Sequence, residues 1–174
     1  MRAFLALLPE RDSALAIDAW RERCWSGVGG RAVPVQNLHL TLCFLGEQPI
    51  SRLETLGRLL DDAGRGAFSG GRRDMILDAA GWRPDSKVAW LESGSAPGSV
   101  AGLARTMRTA AGRAGIRTDK RAFLPHVTIA RGVDAPPPPP AESPSIELVC
   151  GPVALMESRR GRDGVRYVEV ASWS

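Results

Sequence analysis

The chain has 174 residues, of which 44% are hydrophobic and 24% are charged, proportions that are ordinary for one folded domain over residues 1–174. Its formal net charge of +4 suits an anionic ligand, but nearly all the basic residues are arginine, a skew that the base composition of the gene explains equally well. The apolar run over residues 3–8 is too short to cross a membrane, and the three scattered cysteines form no CxxC pair, so we expect a cytoplasmic protein without disulfides or structural zinc.

Four segments are predicted in the first half of the chain. Apolar runs and helical periodicity predict a strand, a helix, a strand and a helix in that order, over residues 2–8, 11–25, 38–45 and 50–63. Asp12 or Ser13 is the expected N-cap of the first helix. The second helix is expected to end at a group of glycines, Gly64, Gly66, Gly70 and Gly71.

Six segments are predicted in the second half. They are two strands, a helix, a strand and a final antiparallel pair, over residues 73–80, 87–92, 98–114, 126–131, 146–157 and 165–171. Turns are expected at 83–86 and 160–164, and Gly115 is the expected C-cap of the helix. The five prolines at 136–140 predict an extended loop, more typical of an exposed spacer than of a motif that binds another protein. The order of elements predicts an α+β protein with antiparallel sheets and flanking helices.

The only two histidines of the chain stand in the same short motif. His39 is followed two residues later by Thr41, and His126 by Thr128, with aliphatic residues between and after. Side chains alternate between the faces of a strand, so each motif presents a histidine and a threonine on one face. The motifs lie half a chain length apart, which predicts two similar lobes related by a pseudo-twofold axis around a central cleft.

A pair of histidines supplies what acid–base cleavage of a phosphodiester needs. With an ordinary pKa near 6.5, one imidazole can take a proton from water while the other gives a proton to the leaving oxygen. The threonine hydroxyls can donate hydrogen bonds to the phosphate oxygens. A single motif of this kind is ordinary in any strand, but chance is a poor explanation for finding both histidines of a chain in it.

The spacing of Arg131 leaves its role open. It lies five residues after His126, an odd offset that in a straight strand points to the opposite face. It can reach the cleft only if the strand ends, twists or bulges near Gly132. A bidentate hold on phosphate is then the functional interpretation, and a solvent-exposed arginine is the one that spacing alone favours.

Several aromatic residues could stack on a base. Phe44 and Phe123 lie close to the motifs, but spacing alone favours core positions for both, as it does for Trp82 and Trp90. Asp61 with its neighbouring aspartate is typical of a solvated helix end. The sequence has no clustered carboxylates for a dinuclear metal site, no phosphate-binding loop and no serine-nucleophile motif, so we expect no metal and no cofactor.

Residues 37–46 and 123–131 together resemble the paired motifs of the 2H phosphoesterase superfamily. The resemblance is closer to the bacterial and archaeal RNA 2′,3′-cyclic phosphodiesterases, which are also called 2′-5′ RNA ligases. The opening residues 2–7 fit as well, and the similarity extends over essentially the whole chain.

This resemblance implies a bilobal α+β fold, a metal-free cleft and hydrolysis of a 2′,3′-cyclic phosphate to a 2′-phosphomonoester. By the same resemblance, His39 is the acid that protonates the departing O3′ and His126 is the base that activates water. It also implies three phosphate-binding residues and one base-contacting residue, which are Thr41, Thr128, Arg131 and Phe44.

The expected partner is RNA with a 2′,3′-cyclic phosphate end, bound by a monomer. Three alternatives stay open from the sequence. The substrate could be a small cyclic nucleotide such as ADP-ribose cyclic phosphate, the same cleft could join RNA ends through a 2′-5′ linkage, or the protein could be an RNA-binding module without turnover.

Overall fold

The computed structural model describes residues 1–68, 73–119, 121–161 and 164–174. Within these ranges the helices are α1 (Arg11–Cys24), α2 (Ile50–Phe68) and α3 (Gly98–Arg113). The strands are β1 (Arg2–Pro9), β2 (Arg31–Ala32), β3 (Leu40–Glu47), β4 (Met75–Leu77), β5 (Ala79–Arg83), β6 (Val88–Glu92), β7 (His126–Arg131), β8 (Ile146–Leu148), β9 (Cys150–Gly161) and β10 (Gly164–Trp173).

The strands form two antiparallel sheets of unequal size, which confirms the predicted α+β class. The larger sheet has the order β10-β9-β1-β3-β7-β6-β5, with β2 paired to β7, and the smaller one consists of β4 and β8. The strands that contain the two motifs, β3 and β7, are therefore neighbours in the middle of the larger sheet. They are joined through one residue pair, Leu40 with Val127.

This central pair explains the predicted twofold relation between the motifs. An antiparallel pair of strands has a local twofold axis between its paired residues. Extending the register by one residue each way sets His39 across from Thr128 and Thr41 across from His126. The two motifs therefore meet at the axis where the two halves of the sheet join.

The aliphatic residues of the motifs anchor both strands in the core. Leu40, Leu42, Val127 and Ile129 are almost fully buried, and burying an aliphatic side chain of this size contributes roughly 1.5–3 kcal/mol. They belong to one cluster of buried side chains that also draws on α1, α2 and α3. Because these residues face the core, the threonines at the alternate positions face away from it, as predicted.

Two predicted strands are each divided in the structure. Residues 73–80 contain β4 and the start of β5, separated at Asp78, and residues 146–157 contain β8 and most of β9, separated at Val149. At both points the chain passes from the small sheet to the large one, since β4 pairs with β8 while β5 and β9 join the larger sheet. The apolar alternation continues on either side of each switch, so the pattern predicts one strand where two exist.

The predicted helix ends are partly wrong. Helix α1 begins after Glu10, and no side chain caps it. The hydroxyl of Ser13 instead donates to the carbonyl oxygen of Glu147 and accepts a hydrogen bond from the backbone N–H of Val149, which ties α1 to β8. Helix α3 ends at Arg113, so its C-cap is Ala114, one residue before the predicted Gly115, which has a left-handed φ of +74° that reverses the chain there.

Helix α2 continues beyond the predicted end as far as Phe68, which is buried and stacks on Trp173. Glycines cost a helix only about 1 kcal/mol each, so burial of this residue can outweigh them. The predicted break at Gly70 and Gly71 lies outside the described residues, as do the central residues of the predicted turn at 160–164. The other predicted turn forms one residue later, over 84–87.

The proline-rich segment at 136–140 has no helix or strand, as predicted, but it is tied to the end of α1. The indole N–H of Trp25 donates to the carbonyl oxygen of Pro138, and the backbone N–H of Ala141 donates to the carbonyl oxygen of Cys24. The cysteines Cys24, Cys43 and Cys150 are free thiols, which confirms that prediction. Among the described residues, no helix combines the length and apolar character needed to span a bilayer.

Candidate active site

One cleft of about 510 Å³ gathers side chains from both motifs. From β3 it is lined by Thr41 and Phe44, and from β7 by His126, Thr128 and Arg131. The sixth predicted residue, His39, does not line the cleft wall and is only 8% exposed. The structure thus brings the predicted residues to the same place but gives the two histidines different surroundings.

Two β-bulges bring Arg131 and Phe44 onto the cleft side. In the pairing of β6 with β7, Ile129 is the extra residue, because Trp90 pairs with Thr128 and the next pair involves Ala130. A bulge resets the alternation of side chains, so Arg131 faces the same side as Thr128. The bulge lies slightly earlier than the region around Gly132 where the sequence analysis placed it.

The same feature occurs in the other half of the sheet. In the pairing of β1 with β3, Leu42 is the extra residue, because Ala6 pairs with Thr41 and Leu5 with Cys43. Phe44 is therefore turned outward and is 58% exposed, so the core position that spacing favoured is wrong. Each bulge stands three residues after its histidine, which makes the two halves alike beyond the motifs themselves.

Both histidines are held by the same backbone contact. Nδ1 of His39 lies 2.7 Å from the carbonyl oxygen of Asn37, and Nδ1 of His126 lies 2.8 Å from that of Leu124. A carbonyl oxygen can only accept a hydrogen bond, so Nδ1 carries the proton and donates in each case. In the neutral imidazole, Nε2 then carries the free lone pair. In both histidines this atom is therefore available for proton transfer.

Aromatic rings enclose His39 and lower its pKa. The ring of Phe4 lies 4.8 Å from the imidazole, centroid to centroid, and that of Tyr167 lies 5.0 Å away, edge to face. Burial is the main cause that lowers the pKa of His39 from 6.5 to about 4. The backbone hydrogen bond to Asn37 opposes this effect, and the Arg131 guanidinium and the His126 side chain add to it. At neutral pH, His39 is therefore an uncharged imidazole in these surroundings.

Tyr167, the only tyrosine of the chain, connects His39 to Arg131. Its ring packs against His39, and its hydroxyl oxygen accepts a hydrogen bond of 3.4 Å from Nη2 of Arg131. Asn37 fastens this part of β10, because its side chain donates to the carbonyl oxygen of Val165 and accepts from the N–H of Tyr167. Neither role could be predicted from local sequence, since the contacts of Asn37 join residues that lie about three quarters of the chain apart.

Trp90 and Phe123 also lie at the cleft, whereas spacing favoured the core for both. Trp90 is half-buried, its ring centroid lies 6.0 Å from that of His126, and it lines the cleft wall. Phe123 lines the cleft while packing against the core. Trp82 packs against the core as predicted, with its indole N–H donating to the carbonyl oxygen of Val133.

Other chemistry has little support among the described side chains. In the part of the chain that the structure describes, no group of three or more histidine, cysteine or carboxylate side chains is close enough to hold a metal ion. Cys43 borders the cleft, but burial raises the pKa of its thiol to about 11. It is therefore protonated at neutral pH and is a poor nucleophile.

Comparison with known proteins identifies the family. No family model matches the chain. A protein named RNA 2′,3′-cyclic phosphodiesterase from Escherichia coli (strain K12) is 30% identical over 175 residues, which cover 99% of this chain and 96% of that protein. The chain belongs to the RNA 2′,3′-cyclic phosphodiesterase family of the 2H phosphoesterases. It is accordingly a phosphoesterase.

Solved structures agree with this assignment. A crystal structure named phosphoesterase superimposes with a TM-score of 0.80 at 32% identity, covering 99% of this chain and 96% of that one. Escherichia coli LigT complexed with 3′-AMP gives a TM-score of 0.78 at 31% identity, with coverage of 99% and 96%. Both the predicted family and the predicted fold class are thus confirmed.

Proposed function

We propose that the protein hydrolyses the 2′,3′-cyclic phosphate at the 3′ end of RNA to a 2′-phosphomonoester, without a metal ion. The observation that carries the proposal is the convergence of the two motifs, with Nδ1 of His39 and of His126 fixed by a carbonyl and Nε2 left free. The name of the Escherichia coli relative supports the choice of substrate.

In the proposed mechanism, Nε2 of His126 takes a proton from water, and the water oxygen attacks phosphorus. The P–O3′ bond breaks, O3′ takes a proton from Nε2 of His39, and the phosphate stays on O2′. The two reaction protons thus leave His126 protonated and His39 neutral, and exchange with solvent restores the starting state. Thr41 and Thr128 would donate hydrogen bonds to the phosphate oxygens, and Arg131 would supply its planar fork to the developing charge.

His39 needs a proton before it can act as the acid, and the bound phosphate provides the reason for it to acquire one. Burial, with the Arg131 guanidinium nearby, holds the pKa of His39 down to about 4. A phosphate anion between Arg131 and the imidazoles would offset the guanidinium charge and accept a hydrogen bond from the protonated ring of His39. Substrate binding is therefore coupled to protonation of His39.

The acid and base roles can be assigned with a sulfur-substituted substrate. A cyclic phosphorothiolate with sulfur in place of O3′ has a leaving group that needs no proton. His39→Ala should then lose far less activity on the sulfur substrate than on the oxygen substrate, while His126→Ala loses activity on both. The opposite result would exchange the two roles, and normal turnover of the oxygen substrate by either variant would refute the two-histidine mechanism.

Two neighbouring activities follow from the same site. The cleft volume of about 510 Å³ is enough for a mononucleotide, so a small cyclic nucleotide is the second candidate substrate. Run in reverse with a 5′-hydroxyl in place of water, the same groups would form a 2′-5′ linkage between RNA ends. We propose that the protein acts as a monomer and needs no cofactor.

A further inference from the structure

A second arginine, Arg83, lines the cleft beside the proposed phosphate site. It is the last residue of β5 and pairs with Val88 of β6, which in turn pairs with Arg131 of β7. Directly paired residues share a face of the sheet, so the two guanidinium groups enter the cleft from the same row. Because adjacent strands lie about 4.8 Å apart, the Cα atoms of the two arginines are roughly 10 Å apart.

The guanidinium of Arg83 lies over an aromatic ring, and no ion pair joins it to a carboxylate within the described part of the chain. Its guanidinium carbon lies 6.0 Å from the ring centroid of Trp90. The ring of Trp90 is fixed in turn, since its N–H donates to a carboxylate oxygen of Glu92 and a side chain at Gly81 would overlap the indole. A cation–π contact of this kind uses no hydrogen bond from the guanidinium, so its N–H groups stay available for an anion.

The other arginines on this side of the cleft are already occupied. Arg121 pairs with the carboxylate of Asp119, and Arg108 donates to the backbone carbonyl of Arg121. Of the four arginines that line the cleft, Arg83 and Arg131 are thus the two whose described contacts are aromatic or phenolic. In their described contacts, neither has to give up a carboxylate or a backbone carbonyl acceptor in order to bind phosphate.

We propose that Arg83 binds the phosphodiester on the 5′ side of the terminal nucleotide, so that the preferred substrate is an RNA oligonucleotide end and not a mononucleotide. The inference rests on the proposed function, which places the cyclic phosphate at Thr41, Thr128 and Arg131. The next phosphate of an RNA chain is joined to that group through a single ribose. The two arginine side chains are long and start about 10 Å apart in one row, so their guanidinium groups can each reach one of two phosphates that are separated by a single ribose. A nucleoside 2′,3′-cyclic phosphate lacks the second anion and would leave Arg83 unused.

The test compares a nucleoside 2′,3′-cyclic phosphate with a trinucleotide that ends in the same group. Arg83→Ala should lower kcat/KM about tenfold for the trinucleotide, mainly by raising KM. A tenfold loss is the size expected for removing one charged contact to phosphate. The same variant should change kcat/KM for the mononucleotide by less than about twofold, because that substrate makes no contact to lose. Arg11→Ala, which removes an equal charge from an exposed position on α1, is the matched control and should affect neither substrate.

The salt dependence of kcat/KM is a second measurement, and it would not change if Arg83 only stabilised the fold. With the trinucleotide, the slope of log kcat/KM against log salt should become shallower by about 0.7 in Arg83→Ala, the value for one phosphate contact to a single strand. Arg83→Lys keeps the charge and should keep most of the slope.

Three results would overturn the inference. They are an equal loss on both substrates, no loss on either, or an unchanged salt slope in Arg83→Ala. If the wild-type protein turned over neither substrate, the proposed function would fail, and the inference would be decided by binding of a fluorescent trinucleotide with a terminal 2′-phosphate. Equal affinity of Arg83→Ala and Arg11→Ala for that probe would then refute it.

Discussion

Acidification should destabilise the protein through His39 alone by an amount that can be worked out from its burial. The folded state holds the pKa of this imidazole at about 4, whereas the unfolded chain restores the ordinary value of 6.5. Between these two values the unfolded state binds more protons than the folded state, so the free energy of unfolding falls as the pH falls. The contribution is complete above pH 6.5 and is lost by about pH 4.

The magnitude follows from the size of the shift. A difference of one pKa unit corresponds to about 1.36 kcal/mol, so the shift of His39 amounts to roughly 3 kcal/mol. Because the side chain is only 8% exposed, solvent screens this effect little. It is large beside a typical total stability of about 5–15 kcal/mol.

Urea unfolding at a series of pH values between 7 and 4 measures the effect. His39→Asn is the informative variant, because its amide can still donate to the carbonyl oxygen of Asn37 but does not titrate. The loss of unfolding free energy on acidification should be about 3 kcal/mol smaller in this variant than in the wild type. Carboxylates titrate equally in both proteins and cancel in the difference.

His126→Asn is the matched control, since it removes the other imidazole with the same backbone contact. The unfolding free energy of this variant should fall between pH 7 and pH 4 as steeply as that of the wild type. If His39→Asn and the wild type lost stability in parallel, the argument that aromatic enclosure by Phe4 and Tyr167 sets the protonation of His39 would be wrong.

Three further results are expected. His39→Ala and His126→Ala should each lower kcat on the order of 10²–10⁴-fold in a cyclic phosphate hydrolysis assay with the RNA ends identified; near-normal turnover in either would contradict their paired roles. Arg131→Lys should lose most of the activity, because lysine lacks the planar fork, and wild-type kinetics would return Arg131 to a solvent-exposed role. Inorganic phosphate should bind more tightly as the pH falls from 7 to 5, with uptake of a proton that calorimetry in two buffers detects and that His39→Asn abolishes; proton release on binding would refute the proposed coupling.

The sequence was enough to predict the two motifs and the face that each presents, because both depend on local alternation along a strand. Their twofold relation could be predicted because the motifs lie half a chain length apart. The sequence was not enough to orient Arg131 and Phe44. Their direction depends on bulges at Ile129 and Leu42, and buried aliphatic residues at those positions look like any core residue in the pattern. An odd offset from a motif residue therefore cannot exclude a residue from the cleft.

The surroundings of the histidines could not be predicted from the local sequence pattern either. His39 is enclosed by Tyr167, whose place depends on contacts that Asn37 makes across 130 residues. The division of strands at Asp78 and Val149 is another long-range outcome, since it depends on β4 and β8 finding each other and not on a break in the pattern. Residues distant in sequence thus decide which face is enclosed and which stays open.

The two histidines are equivalent in sequence motif, register and backbone contact, so their geometry alone cannot divide the work of acid and base between them. The two histidines differ in the side chains that each half of the sheet packs around them. Phe4 and Tyr167 bury His39, whereas His126 has Trp90 on one side and an open cleft on the other. Placing two like groups in unlike environments is a general way to separate acid from base. Under the proposed mechanism, the aromatic enclosure of His39, and not its motif, would therefore be what makes this imidazole depend on the bound phosphate for its proton.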